Sequence, residues 1–180
     1  MTLAVFLFFV MSIRRENPKP MKAEAVVAKV KSEMSESSIP AIYQRQILAL
    51  RTRQYELRAE GKTQIVEVLH TLLGIEVKMG KRRLLCPDLA TARYLAVFAR
   101  LGCDTIAVPY DITQISRLAD ELESSWHRMN LLAEHFSVER TPRFCNRVKQ
   151  LLLADLRNEI NQLGAGTKVP QFNQKTRQRR

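Results

Sequence analysis

The sequence predicts an α+β fold: a helix-rich single domain with a small three-stranded mixed sheet and a long C-terminal antiparallel helix pair. Three observations predict it. Apolar residues recur at three- and four-residue spacing over most of the chain, the signature of amphipathic helices. Only the stretch from Gly74 to Asp111 leaves that period, and it does so for strand-like alternation. Finally, 180 residues of which 46% are hydrophobic suffice for one domain with a real core.

Residues 3–13 form the most hydrophobic run, Leu-Ala-Val-Phe-Leu-Phe-Phe-Val-Met-Ser-Ile. It is shorter than the roughly 20 residues a bilayer-spanning helix needs. Its arginines follow the apolar run, the reverse of a signal peptide. Residues 1–20 therefore read as a disordered apolar and basic leader, with membrane-surface contact through 3–13 or a signal peptide as the alternatives. Met21 to Glu36 is expected to be a short helix with Val26, Val27 and Val30 on one face. Ala41 to Glu60 is expected to be a second, carrying Tyr43, Ile47, Leu50 and Leu57 and ended by Gly61. A third is expected between Thr63 and Gly74, with Ile65, Val66, Leu69, Leu72 and Leu73 as its apolar face.

In the central stretch, Glu76 and Lys78 alternate with Ile75, Val77 and Met79, as in a strand with one wet face. Gly80-Lys81 suits a two-residue hairpin turn leading into Arg82–Cys86. Asp88 caps a helix bearing Tyr94, Leu95, Phe98 and Leu101, and Gly102 ends it. Thr105–Val108 is an apolar run of the kind buried in parallel sheets. A right-handed crossover from Cys86 to Thr105 would then complete the mixed sheet. Asp111 or Thr113 caps the longest helix, to about Phe136, and Thr141-Pro142 starts the next, which Gly164 ends. The globular domain thus covers 21–164, and residues 165–180 make a disordered basic tail.

The net charge is +11 with a pI near 10.0, which favours anionic partners. The tail holds +5 of it with no acid, the first twenty residues +2, and the body only +4. Three basic groups stand out: Lys78, Lys81, Arg82 and Arg83 at the hairpin tip; Arg140, Arg143, Arg147 and Lys149 around the inter-helix turn; and Lys168, Lys175, Arg177, Arg179 and Arg180 in the tail. Basic hairpins and tails neutralise phosphates and release counterions. The expected function is a small, non-catalytic, basic nucleic-acid-binding protein contacting backbone phosphates of DNA or RNA. Aromatic residues do not interleave these clusters except Phe144 and Phe172, so base stacking finds no support at them.

An oligomerising helical adaptor is the alternative, with Trp126 and Met129 in the seam of a homodimer built on the C-terminal helix pair. A metal-dependent nuclease is a weaker one. Glu76-Val77-Lys78 resembles the carboxylate-x-lysine half of the PD-(D/E)xK nuclease motif, but no aspartate lies on an earlier strand to complete it. Asp88 and Asp111 each follow a strand, where a metal or acid/base pair could sit, yet each also occupies a helix N-cap. His70, His127 and His135 are scattered, and no hydrolase elbow or glycine-rich phosphate loop is present. No cofactor, metal site or catalytic residue is assigned. Cys86, Cys103 and Cys145 lack metal-binding spacing, and a helix of about 20 Å separates the first two, so reduced thiols in a cytoplasmic protein are expected.

Overall fold

A computed structural model describes residues 21–58, 65–137 and 141–167. The fold is α+β, as the periodicities predict. Helices α1 (Ala23–Met34), α3 (Leu89–Leu101), α4 (Ile112–Phe136) and α5 (Pro142–Leu163) carry most of the core, with a short helix α2 (Ile39–Ile42). Strands β2 (Val66–Thr71), β3 (Gly74–Met79) and β4 (Arg82–Cys86) form an antiparallel meander, while β1 (Thr52–Glu56) and β5 (Thr105–Pro109) form a separate antiparallel ribbon.

Helix α3 is the centre of the molecule. Tyr94, Leu95, Ala96, Val97, Phe98, Ala99 and Leu101 are all buried, so it is apolar over most of its circumference, as a core helix must be. Asp88 caps it by accepting from the Thr91 amide, and Gly102 closes it in the left-handed region at φ 79°. Arg93, on its one polar flank, pairs with Asp120 at 2.8 Å and with Glu123, tying α3 to α4.

The C-terminal helices run antiparallel, but α1 lies between them. Ser125 donates to the Ser37 carbonyl, Arg128 reaches the Glu33 carbonyl and the Lys29 ammonium sits over the Phe136 ring, so α1 opposes α4. Arg147 pairs with Glu24, and Lys31 with Asp155 and Glu159, so α1 runs with α5. Val26 and Val30 fill the seam, completely buried. Met129 is buried in this core, and Trp126 is partly buried against it. Met129 is therefore closed to the outer seam of a helix-pair dimer.

Three expectations are corrected. The helix expected over 41–60 is a short α-helical start, a π-helical turn at Tyr43–Ile47 and then β1. Thr52-Arg53-Gln54-Tyr55 has the β-branched and aromatic content of a strand, and pairing with apolar β5 outweighs helix propensity. The helix expected over 63–73 is β2; Val66 and Val68 pair with Met79 and Val77, and Leu72 and Leu73 form an exposed turn. Finally, the expected βαβ crossover is absent. Strand β5 does not join β4 in a mixed sheet; it takes β1 as an antiparallel partner, the more stable pairing per residue. The β3–β4 hairpin forms as expected, with Gly80 at φ 58° and Met79 opposite Arg82.

Candidate nucleic-acid interface

The β1–β5 ribbon gathers the arginines and tyrosines that the sequence leaves apart. Its register sets Arg53 opposite Val108 and Tyr55 opposite Ile106, and the Tyr110 amide donates to the Arg51 carbonyl, extending the ladder by one pair. Alternation therefore places Arg51, Arg53 and Tyr55 on one face of β1, with Tyr110 across from Arg51. The guanidinium carbons of Arg51 and Arg53 lie 5.2 and 5.7 Å from the centre of the Tyr110 ring. Tyr110 itself is 49% exposed. Neither arginine forms an ion pair among the described residues, and the Arg53 Nε is buried without an acceptor.

Two buried tyrosines hold this ribbon in place. The Tyr43 hydroxyl accepts from the Ala107 amide at 2.8 Å and donates to the Gly164 carbonyl at 2.7 Å. The Tyr94 hydroxyl donates to the Ala107 carbonyl at 2.6 Å. The free edge of β5, which would otherwise leave backbone groups unpaired in the core, is thus satisfied by side chains. Burial pushes the Tyr43 hydroxyl up to about 12 and Tyr94 well above its ordinary value, so both stay protonated donors at neutral pH. Both rings pack on Phe98, with centroids 5.5 and 5.1 Å away.

The outer edge of β1 receives the segment that follows α5. The Gln54 amide donates to the Thr167 carbonyl at 2.8 Å, and Thr167 bridges to Arg53 in parallel sense. Gly166, at φ 78°, makes this approach possible: a Cβ there would lie 2.7 Å from the Thr52 hydroxyl and 3.1 Å from the Ala107 methyl. The chain therefore enters its basic tail directly beside Arg53. Lys168, Lys175, Arg177, Arg179 and Arg180 lie outside the described residues, as do residues 1–20 and Arg140.

The hairpin cations are mostly engaged. Lys78 pairs with Glu67 at 2.9 Å across the β2–β3 ladder, and Arg83 reaches buried Glu76 at 3.4 Å. Arg82 donates to the Leu57 carbonyl and so fastens the hairpin to the end of β1. It also flanks Tyr55, whose hydroxyl burial raises above its ordinary value, with the charges of Arg53 and Arg82 acting the other way. Lys81 is exposed at the turn with no ion pair among the described residues. At the start of α5, Arg147 is paired with Glu24, while Arg143 and Lys149 are exposed and unpaired among the described residues. A helix of this length separates Arg143 from the Gly164 end by about 30 Å. The hairpin, ribbon and tail root thus share one end of the molecule, and the inter-helix cluster stands at the other.

The acidic candidates serve structure. Asp88 and Asp111 are helix N-caps, accepting from Thr91 and Thr113. The Thr113 hydroxyl and amide hold the Asp111 carboxyl below its ordinary value. Glu76 faces Arg83 rather than a second carboxylate, and among the described residues no cluster of histidine, cysteine and acid could hold a metal. Cys86, Cys103 and Cys145 are unbridged; burial raises the first two to about 11 and about 12, leaving them inert thiols. No described helix is long and apolar enough to cross a membrane.

The chain matches no family model, no curated protein and no solved structure. Arg51, Arg53 and Tyr55 are masked in the sequence by the helical stripe of residues 43–57, and Tyr110 meets them only across the β1–β5 ladder. The signal was present: Arg51-Thr52-Arg53-Gln54-Tyr55 alternates with a period of two, which places both arginines and the tyrosine on one strand face.

Proposed function

We propose that this protein binds nucleic acid, non-catalytically, through backbone phosphates. The observation that carries the reading is the pair Arg51 and Arg53 on the ribbon face, which meet no carboxylate among the described residues, with the chain leading into the tail beside them at Thr167. Guanidinium groups placed in this way suit phosphate oxygens, which they can bind in bidentate fashion. Lys81 adds an uncommitted charge in the hairpin next to the ribbon. The five tail cations then extend the contact along a strand. Arg143 and Lys149, at the far end of α5, form a second and lesser contact for a long ligand.

The test is a gel-shift titration at several salt concentrations, comparing the full chain with a variant ending at Thr167. Affinity should fall linearly with log salt, with a slope near 0.7 to 0.9 per phosphate neutralised, and the truncated form should show a shallower slope. Absence of binding at low salt, or tight binding indifferent to salt, would overturn the reading. Its cytoplasmic location, with thiols kept reduced, is part of the same proposal.

The adaptor reading keeps one observation in its favour. Leu72, Leu73 and Leu85 are exposed on and beside the outer side of the meander, so a protein partner would meet β2–β3–β4 rather than the α4–α5 seam. A solution mass above 20.7 kDa that persists after loss of the tail would support it.

A further inference from the structure

We infer that the Arg51–Tyr110–Arg53 cluster receives an unpaired nucleotide, which makes the ligand a single strand rather than a duplex. This rests on the phosphate-binding reading above and goes beyond it in assigning a base-stacking residue. Both arginines come from β1, so both guanidiniums approach the Tyr110 ring from the side of that strand. Among the described residues β5 has no second neighbouring strand, and about half of the Tyr110 residue is exposed. A base can lie against that open surface while its flanking phosphates meet the two guanidiniums on the other side. Bases within a duplex are already stacked and cannot take this position without being extruded.

The ring is prepared for stacking. Its backbone is fixed by the hydrogen bond from its amide to the Arg51 carbonyl, and the N-cap of α4 follows at once. The Asp111 carboxylate next in sequence is engaged by the amide and hydroxyl of Thr113. The buried Arg53 Nε, which has no acceptor among the described residues, marks a guanidinium held by packing rather than by a counterion, leaving its charge for a ligand. An aromatic flanked by arginines is the combination that sequence-tolerant single-strand binders use, because every base has a π-face.

The experiment compares an oligothymidylate with an abasic oligodeoxynucleotide of the same length, binding the full chain and its Tyr110→Ala and Tyr110→Phe variants. The base-bearing strand should bind at least about five-fold tighter than the abasic one. Tyr110→Ala should remove that preference, so that the variant binds the two strands equally, and Tyr110→Phe should keep it. A 2-aminopurine placed in the strand should lose emission on binding to the wild type and to Tyr110→Phe. Equal binding of the two strands by the wild type, a preference that survives Tyr110→Ala, or a preference lost in Tyr110→Phe overturns the stacking assignment alone. Competition by thymidine monophosphate at the same concentration as the oligonucleotide would make this a mononucleotide pocket and overturn the single-strand assignment. Failure of both strands to bind at low salt would instead remove the phosphate reading itself.

Discussion

The molecule contains two small antiparallel sheets, and they treat their charges in opposite ways. On the β2–β3–β4 meander the charged residues answer one another across the ladder, Glu67 with Lys78 and Glu76 with Arg83. On the β1–β5 ribbon Arg51 and Arg53 form no ion pair among the described residues and lie against a half-exposed tyrosine. The residues on either side look alike in the sequence. Whether an arginine meets a carboxylate is decided by its cross-strand partner, and the partner is a property of the fold.

The sharpest way to break this contrast is to reverse the ribbon charges. Arg51→Glu with Arg53→Glu should weaken binding of a single-stranded oligonucleotide by about a hundred-fold at low salt, since hydrogen bonds to charged groups contribute about 1.5–3 kcal/mol each. The salt slope should fall by roughly 1.4, two contacts at about 0.7 each. Fluorescence anisotropy over a salt series measures both. If neither changes, the ribbon is not the interface.

The ribbon also depends on its tyrosine supports, where the meander packs on the core through Val77, Met79 and Cys86. Tyr43→Phe leaves the Ala107 amide and the Gly164 carbonyl without their partner, and should cost about 1–3 kcal/mol in urea unfolding, with unchanged m. A smaller effect is expected from Lys78→Ala. Its partner Glu67 is exposed, so the loss of stability should stay below about 1 kcal/mol and affinity should change less than about two-fold. A large loss of affinity there would move the interface to the hairpin.

The smallest effect concerns pH. The folded Asp111 carboxyl titrates below its unfolded value, so its contribution is present above about pH 4 and is lost as pH falls through the lowered value. Asp111→Asn should therefore flatten the acid limb of the urea midpoint between about pH 5 and 3, while leaving the midpoint near neutrality almost unchanged.

Much of the helical frame could be read from the chain. The caps Asp88, Asp111 and Thr141, the stops Gly102 and Gly164, and the Gly80-Lys81 turn fall where local chemistry demands them. Local chemistry decided less for the partners of the strands. Tyr43, Ile47, Leu50 and Leu57 fit a helical stripe, yet the chain needs an antiparallel neighbour for β5, and residues 52–56 supply it. Val66 and Val68 fit either period until β3 offers a ladder. Of the candidate basic residues, Lys78, Arg83 and Arg147 proved paired. No spacing rule announces a cross-strand carboxylate or a helix packed alongside. The Arg51–Tyr110 contact joins residues distant in sequence and is visible only in register.

The closing of the ribbon by Thr167 bears on the order of folding. The meander pairs neighbours in sequence and can form as soon as its strands exist. The ribbon joins strands that flank the meander and α3, and its outer edge is completed by residues beyond α5. During synthesis, the amides of β1 should gain full protection only after the last helix has emerged, an order that pulse-labelled hydrogen exchange would resolve. The two sheets thus differ in time as well as in charge: the meander can be complete while the ribbon still lacks its outer edge.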